Sequence, residues 1–429
     1  MEGTARWRRW AVAVAVAAAV ALAGGLPLAP VPAGAQGAPP GPLRFLGEFV
    51  YPTGTSYEGT AVGELSGLVR DPRRGVYYAV SDDRGVARFY TLEIDLGPGG
   101  IADVRVVGVT LLDSDPATPG VQPYQAGDSD LEDLVLLPDG DLLITSERDR
   151  NNVPWVRRFA LDGRLLGELP LPDAFVPAEG RGTRPNLAFE GMTLSADGQT
   201  LVLANEQALA QDGPLATPDA GTRVRLLHYD LRGGPGAARP GREVVYQTEP
   251  IFARPEPPTG AADNGVTALL AIRHLLPGFD LLVLERSFVA GAGNEVGLFG
   301  VSLTGAQDVA GLTDLPDPFP GRTATKTPLL SLRRAGLAPD NLEAMALGPR
   351  LPNGRASLLL LSDDNLSATQ RNQFLLFELD AGVAGGLPRT GGAAEAPRPT
   401  LAPSAPIALA AAVLGPGARR RAGRAPATG

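Results

Sequence analysis

The sequence predicts an all-β fold, a β-propeller of four-stranded blades closed by the N-terminal strand. Three observations point there. One strand–turn–strand motif recurs five times, further strand patterns follow each recurrence, and a spare strand lies at the opposite end of the domain. The composition agrees: 429 residues with 54 Gly, 41 Pro, 44% hydrophobic and 20% charged residues suit a turn-rich globular chain better than a helical bundle.

The recurring pairs are Leu65–Leu68 with Ala79–Arg84, Leu131–Leu134 with Ile144–Arg148, Phe189–Met192 with Leu203–Gln207, Val266–Leu269 with Val283–Arg286, and Leu342–Met345 with Leu360–Asn365. Between the members of each pair stand Asp71–Gly75, Pro138–Gly140, Ala196–Gly198, Pro277–Gly278 and Pro352–Gly354, which supply the left-handed backbone positions that tight hairpins need. A third strand follows at Val86–Ile94, Trp155–Leu161, Val224–Leu231, Val296–Leu303 and Phe374–Leu379, mostly apolar on alternate positions. A fourth fits Val104–Leu112, Arg164–Leu171, Glu243–Ile251 and Leu329–Leu332, but the last unit has none of its own. Leu43–Tyr51 reads as the missing strand, and its pairing would leave no free edge. Residues 43–380 therefore read as one domain of five blades, with room for a sixth in the connections at 209–222, 250–264 or 308–325. A β-sandwich would share the strand content, but repetition at matched offsets favours the propeller.

The ends carry addresses. Arg6, Arg8 and Arg9 precede an apolar run from Trp10 to Leu22 and then Ala33-Gly34-Ala35, the layout of a secretory signal peptide over residues 1–35, with a short linker at 36–42. A membrane anchor is the competing reading, but the run is short for a span. Leu387-Pro388-Arg389-Thr390-Gly391 resembles the LPxTG signal that sortases cleave after Thr, here Thr390, and an Ala/Leu/Val stretch and an arginine cluster follow it within the Gly/Pro/Ala-rich tail 381–429. The stretch is short for a wall-sorting signal, and a solvated tail with a chance pentapeptide is the alternative. The expectation is a secreted monomer, anchored to the cell wall if a sortase processes it.

Charge and scarcity narrow the chemistry. The chain has no Cys, two His (His228 and His274) and one Lys (Lys326), so thiolate chemistry and multi-imidazole metal sites are excluded. Both His read as structural, and no Gly-x-Ser-x-Gly elbow, phosphate-cradling loop or dinucleotide fingerprint occurs. A net charge of −9 argues against nucleic acid as a partner. The signal carries +2 and the tail after Thr390 +4, so the domain between them is at −15, which invites bound cations.

The placement of the acids is the most informative feature. One position opens the first strand of each pair (Ser66, Glu132, Glu190, Thr267, Glu343), and another closes the second (Asp82, Glu147, Glu206, Glu285, Asp363). In an antiparallel pair these lie at the same end, so propeller symmetry gathers them at one mouth of the central channel. Crowded carboxylates raise one another's pKa or hold cations between them. With oxygen donors only, Ca2+ is the first choice, ahead of Mg2+ or Mn2+. Arg84, Arg148 and Arg286 follow the acids in three units, and Arg181 and Arg184 lie in the loop before Glu190. Each could clamp an anionic substrate, or pair with rim acids.

Arg181–Met192, Asn264–Leu270, Leu282–Phe288 with Gly293-Asn294, and Lys326 with Asp340–Met345 together resemble the secreted bacterial phytase-like family, also described as esterase-like activity of phytase. The resemblance runs across nearly the whole domain. It implies a propeller akin to the calcium-dependent β-propeller phytases, whose acid-lined channel holds metal ions that bind phosphate and activate water. It marks Glu190 and Glu343 as acidic site residues, while the Lys-rich phosphate pocket of a phytase is absent. The expected function is thus an exported, metal-dependent phosphoric-ester hydrolase of a small phosphorylated or ester substrate. In it Glu132, Glu190 and Glu343 are the catalytic acids and Arg84, Arg148, Arg184 and Arg286 bind substrate. A non-catalytic surface propeller with structural Ca2+ that binds a polymer, sugar or protein is the alternative.

Overall fold

The computed structural model describes residues 41–380 and Gly382. The signal segment 1–35 and the tail that carries Thr390 lie outside the described residues. β1 (Leu43–Tyr51) leads through a small hairpin, β2 (Ser56–Tyr57) and β3 (Thr60–Ala61), into the first blade: β4 (Leu65–Asp71), β5 (Val76–Ser81), β6 (Arg88–Gly97) and β7 (Gly100–Leu111). The second blade is β8 (Leu131–Leu136), β9 (Leu142–Ser146), β10 (Trp155–Phe159) and β11 (Leu165–Glu168). The third is β12 (Phe189–Leu194), β13 (Thr200–Asn205), β14 (Arg223–Asp230) and β15 (Arg239–Gln247). The fourth is β16 (Ala262–Ala271), β17 (Leu281–Val289), β18 (Gly293–Ser302) and β19 (Thr325–Ser331). The fifth is β20 (Asn341–Leu347), β21 (Ala356–Asp363) and β22 (Asn372–Leu379), completed by β1.

Each blade is an antiparallel meander, and the predicted turns deliver it: Gly140, Gly198, Gly278 and Gly354 all adopt positive φ. Closure occurs where the spare strand predicted it. β1 runs antiparallel to β22 from Leu43↔Leu379 to Tyr51↔Asn372, so the first strand of the domain supplies the outer edge of the last blade. The room left for a sixth blade is not used. Among the described residues there are five four-stranded sheets, and 209–222, 250–261 and 308–324 form turns and isolated bridges.

The innermost strands β4, β8, β12, β16 and β20 pack each against the next, and β20 packs against β4, which closes the ring. The core is correspondingly divided into apolar wedges between blades. Leu68, Tyr90, Leu359 and Phe374 fill the seam of blades five and one; Tyr78, Leu134, Ile144 and Trp155 fill that of one and two. Equivalent wedges centre on Phe189 and Met192, on Val283 and Tyr246, and on Leu284 and Phe377. Burial of each such side chain contributes about 1.5–3 kcal/mol, and the seams hold the blades at the angle that sets the channel. His228 sits on β14 with Nδ1 3.1 Å from the carbonyl oxygens of Leu226 and Arg242, a strand residue as expected.

Candidate functional site

Every inner strand carries a β-bulge, near its start except in β16, where it lies mid-strand, and the bulged residue is the first of the two positions read from the sequence. β4 pairs Leu65 with Ser81 and then Gly67 with Val80, so Ser66 is the extra residue. The same slip singles out Glu190 in β12, Thr267 in β16 and Glu343 in β20, while in β8 it spans Glu132 and Asp133. A bulge breaks strict alternation and re-aims one side chain, which is how an acid can leave the apolar seam and face the channel. Close strand approach permits it: a Cβ on Gly67 would stand 2.7 Å from Asp133 Cα and 2.8 Å from Glu132 O.

The second acids are fixed by backbone pairing. Asp82 N donates to Glu64 O at 2.9 Å, Glu147 N to Asp130 O at 2.9 Å and Glu206 N to Ala188 O at 2.7 Å. Asp363 stands opposite Asn341. In blade four the residue opposite the matching position, Gly265, is Arg286 and not Glu285. This corrects the expected ring by one residue. With strict alternation along β17, Glu285 points to the flank of the blade, where Oε1 accepts Tyr246 Oη at 2.5 Å and Lys326 Nζ at 2.8 Å, and Oε2 accepts Glu249 N at 2.7 Å and Asn264 Nδ2 at 3.0 Å. Lys326 is spent there too, paired with Glu249 at 2.8 Å and resting over the Phe299 ring.

The ring is therefore four second acids and one guanidinium, above three bulge acids. Arg286 Nη1 lies 2.7 Å from Glu343 Oε1 and Nη2 3.1 Å from Glu206 Oε1, so it spans blades three to five. Asn341 Nδ2 also reaches Glu343 at 2.9 Å and Asp363 at 3.2 Å. On the other side, Asp130, Glu132 and Glu147 are buried and present carboxylate oxygens within 4.8 Å of one another, a group that could hold a metal ion. Glu147 Oε1 accepts Ala188 N at 2.7 Å. Among the described residues, neither Glu132 nor Glu190 makes a side-chain hydrogen bond or ion pair, although both are more than nine-tenths buried.

The electrostatics follow from burial first and crowding second. Desolvation, and then Glu190, Glu147 and Asp130, hold Glu132 well above the ordinary carboxylate range. Desolvation, Glu206 and Glu147 do the same to Glu190, and desolvation with Glu343 to Asp363. Asp82 is raised to about 10 by burial, Asp363 and Glu343. Burial pushes Glu206 up to about 8 and Glu343 up to about 7, against the pull of Arg286. Glu147 rises to about 7 by burial, opposed by the Ala188 amide. Such a site favours either protons or a divalent cation, and hard oxygen donors fit the latter.

The other predicted arginines divide. Arg84 reaches Asp130 at 2.8 Å through both Nε and Nη2, and Arg148 Nη2 reaches Asp130 at 2.7 Å while also bonding Asn186. Both flank the cluster and can turn donors to a ligand. Arg184 does not belong to the site: Nε and Nη2 bond the carbonyls of Ala208 and Gly213 at 3.1 and 2.9 Å, holding a loop. Arg181 is exposed. Asp130 and Asn341 were not predicted. The run Asp128-Ser129-Asp130-Leu131-Glu132-Asp133 was the available signal for Asp130, since in blades one to three the residue before the inner strand faces the second acid.

A curated relative from the fungus Arthroderma benhamiae, named as an uncharacterized secreted protein, is 30% identical over 191 residues, covering 38% of this chain and 35% of its own length. The chain thus spans about a third of that relative. Among solved structures, the major allergen Mala s 1 of Malassezia sympodialis aligns with a TM-score of 0.38 and 13% identity over 80% of this chain and 85% of that one. The periplasmic gluconolactonase PpgL of Pseudomonas aeruginosa aligns with a TM-score of 0.33 and 15% identity over 75% and 87%. No helix among the described residues is long and apolar enough to cross a membrane. The family model "Phytase-like: Esterase-like activity of phytase" matches residues 60–366, and the chain belongs to that family.

Proposed function

We propose that this chain is an exported hydrolase of phosphoric esters, working at the acidic mouth with Ca2+ held by Asp130, Glu132 and Glu147. The observation that carries the reading is the trio of buried carboxylates within 4.8 Å, of which Glu132 has no counter-charge among the described residues. An unpaired buried carboxylate is costly, and a divalent cation removes that cost. When bound, the ion would supply Lewis-acid polarisation of a phosphoryl oxygen and a more acidic water.

The chain's own groups supply the rest. Arg148 and Arg84, beside the trio, orient the anionic oxygens of the substrate. Glu190, whose carboxyl burial and then Glu206 and Glu147 raise well above the ordinary range, is the group that would donate a proton to a departing alkoxide. Glu343, raised to about 7, is poised to take a proton from the attacking water. The absence of free lysine favours a smaller anion than phytate. Secretion and cell-wall attachment through Thr390 belong to the same proposal.

A panel of phosphomonoesters, phosphodiesters, carboxylic esters and lactones, assayed with Ca2+ and with EDTA, tests it. Chelator-sensitive turnover of a phosphoric ester is expected, and none on any member rejects the reading. Arg286 favours the alternative of a non-catalytic propeller that binds a polymer, sugar or protein, because it already neutralises Glu206 and Glu343. In that case EDTA lowers the melting temperature while no substrate is consumed.

A further inference from the structure

Below the carboxylates the inner strands repeat a second pattern. Leu68, Leu134, Met192, Leu269 and Met345 are equivalent and buried. Two residues further along each strand come Arg70, Leu136, Leu194, Ala271 and Leu347, so one guanidinium stands in an otherwise apolar ring. Residues of all five inner strands line a cavity of about 600 Å³ that opens among the β4–β5, β8–β9 and β12–β13 turns, at the mouth opposite the acids. That size is ordinary for a small-molecule pocket.

Arg70 lines this cavity and, among the described residues, is in no ion pair, whereas Arg73 and Arg74 reach Asp71 at 3.9 and 4.0 Å. Across the ladder it faces the buried Tyr77. A guanidinium without an ion-pair partner at the end of an apolar channel asks for an anion. One guanidinium balances one negative charge and pairs with a carboxylate bidentately. Asp197 on the rim, which accepts Ser195 Oγ and Gln199 N, disfavours the second charge of a phosphate. At the inner end the Asp133 oxygens are already occupied by Met192 N and Leu134 N at 2.7 and 2.8 Å, so an alkyl chain there strands no polar group.

We propose that this mouth binds an aliphatic carboxylate, its head on Arg70 and its chain running inward against Leu134, Met192 and Met345. The site is separate from the acidic mouth and does not depend on hydrolysis there.

Calorimetric titration of the full chain with octanoate, butanoate and 1-octanol tests it. Octanoate is expected to bind more than tenfold tighter than butanoate, since each buried methylene adds to affinity. Arg70→Leu places the residue that three other blades carry, so it should fold. It should weaken octanoate at least tenfold and leave 1-octanol unchanged. Leu194→Trp should block both ligands, with thermal melts confirming that each variant is folded. No octanoate binding, equal affinity for the two acids, or undiminished octanoate binding to folded Arg70→Leu overturns the proposal.

Discussion

Arg286 Nη1 lies 2.7 Å from Glu343 Oε1, although the two residues belong to different blades and Arg286 holds the position that a carboxylate occupies in the other four. Burial disfavours its charge, but Glu343, Glu206 and Asp263 outweigh that and keep it charged at any working pH. Arg286→Met removes the one guanidinium that, among the described residues, pairs with Glu206 and Glu343. Breaking a buried pair in this way costs about 3–5 kcal/mol. Urea denaturation of the metal-free protein at pH 8 should show a loss of that order, and a smaller one at pH 5, where the orphaned carboxyls take up protons.

The propeller was legible because its signals are local and repeated. Turn glycines, alternating strands and the spare Leu43–Tyr51 each follow from short-range chemistry, and five copies average out the noise. The site was legible only to within one residue. Along β17 the acid Glu285 and the base Arg286 are adjacent, and only pairing with Gly265 decides which of them faces the channel. Arg184 was misread for a related reason. A loop guanidinium near Glu190 in sequence has no fixed direction until the carbonyls of Ala208 and Gly213 claim it. The bulges at Ser66, Glu190 and Glu343 left no trace in composition, since they are a property of strand pairing.

Acidity should stabilise the metal-free domain. Glu147 and Glu343 rise from 4.5 to about 7 and Glu206 to about 8. The native state therefore holds protons more tightly than the unfolded chain, and stability falls as pH rises through that window. Each carboxyl moved from 4.5 to about 7 costs about 3 kcal/mol once ionised, less where neighbours titrate together. Melting temperature in EDTA should drop between pH 5 and pH 8. Saturating Ca2+ should flatten that slope, because binding replaces the protons. A melting temperature that climbs with pH in EDTA contradicts the assigned directions.

Glu132→Gln separates metal binding from folding. The amide keeps the shape but gives up the charge that burial, Glu190, Glu147 and Asp130 oppose. Calorimetry should show Ca2+ affinity reduced by about tenfold or more, equivalent to about 1.4 kcal/mol or more. In EDTA at pH 8 the same variant should melt above the wild type. A gain in metal-free stability together with a loss of metal affinity is the signature of a ligand, and a structural acid would give neither.

The bulge itself can be tested at Gly67. Its backbone follows the extra residue Ser66, and a Cβ there would meet Asp133 Cα at 2.7 Å and Glu132 O at 2.8 Å. Both are main-chain atoms of the neighbouring inner strand, so relief requires β4 and β8 to separate. Gly67→Ala should therefore cost about 1–3 kcal/mol by overpacking, in contrast to the gain that Gly→Ala gives at an unhindered site. Separation would also displace Glu132 from Asp130 and Glu147, with which it shares the 4.8 Å cluster. Denaturation and Ca2+ titration of this one variant should consequently report two losses from a single methyl group. Destabilisation with unchanged Ca2+ affinity would show that the inner-strand spacing does not set the geometry of the cluster.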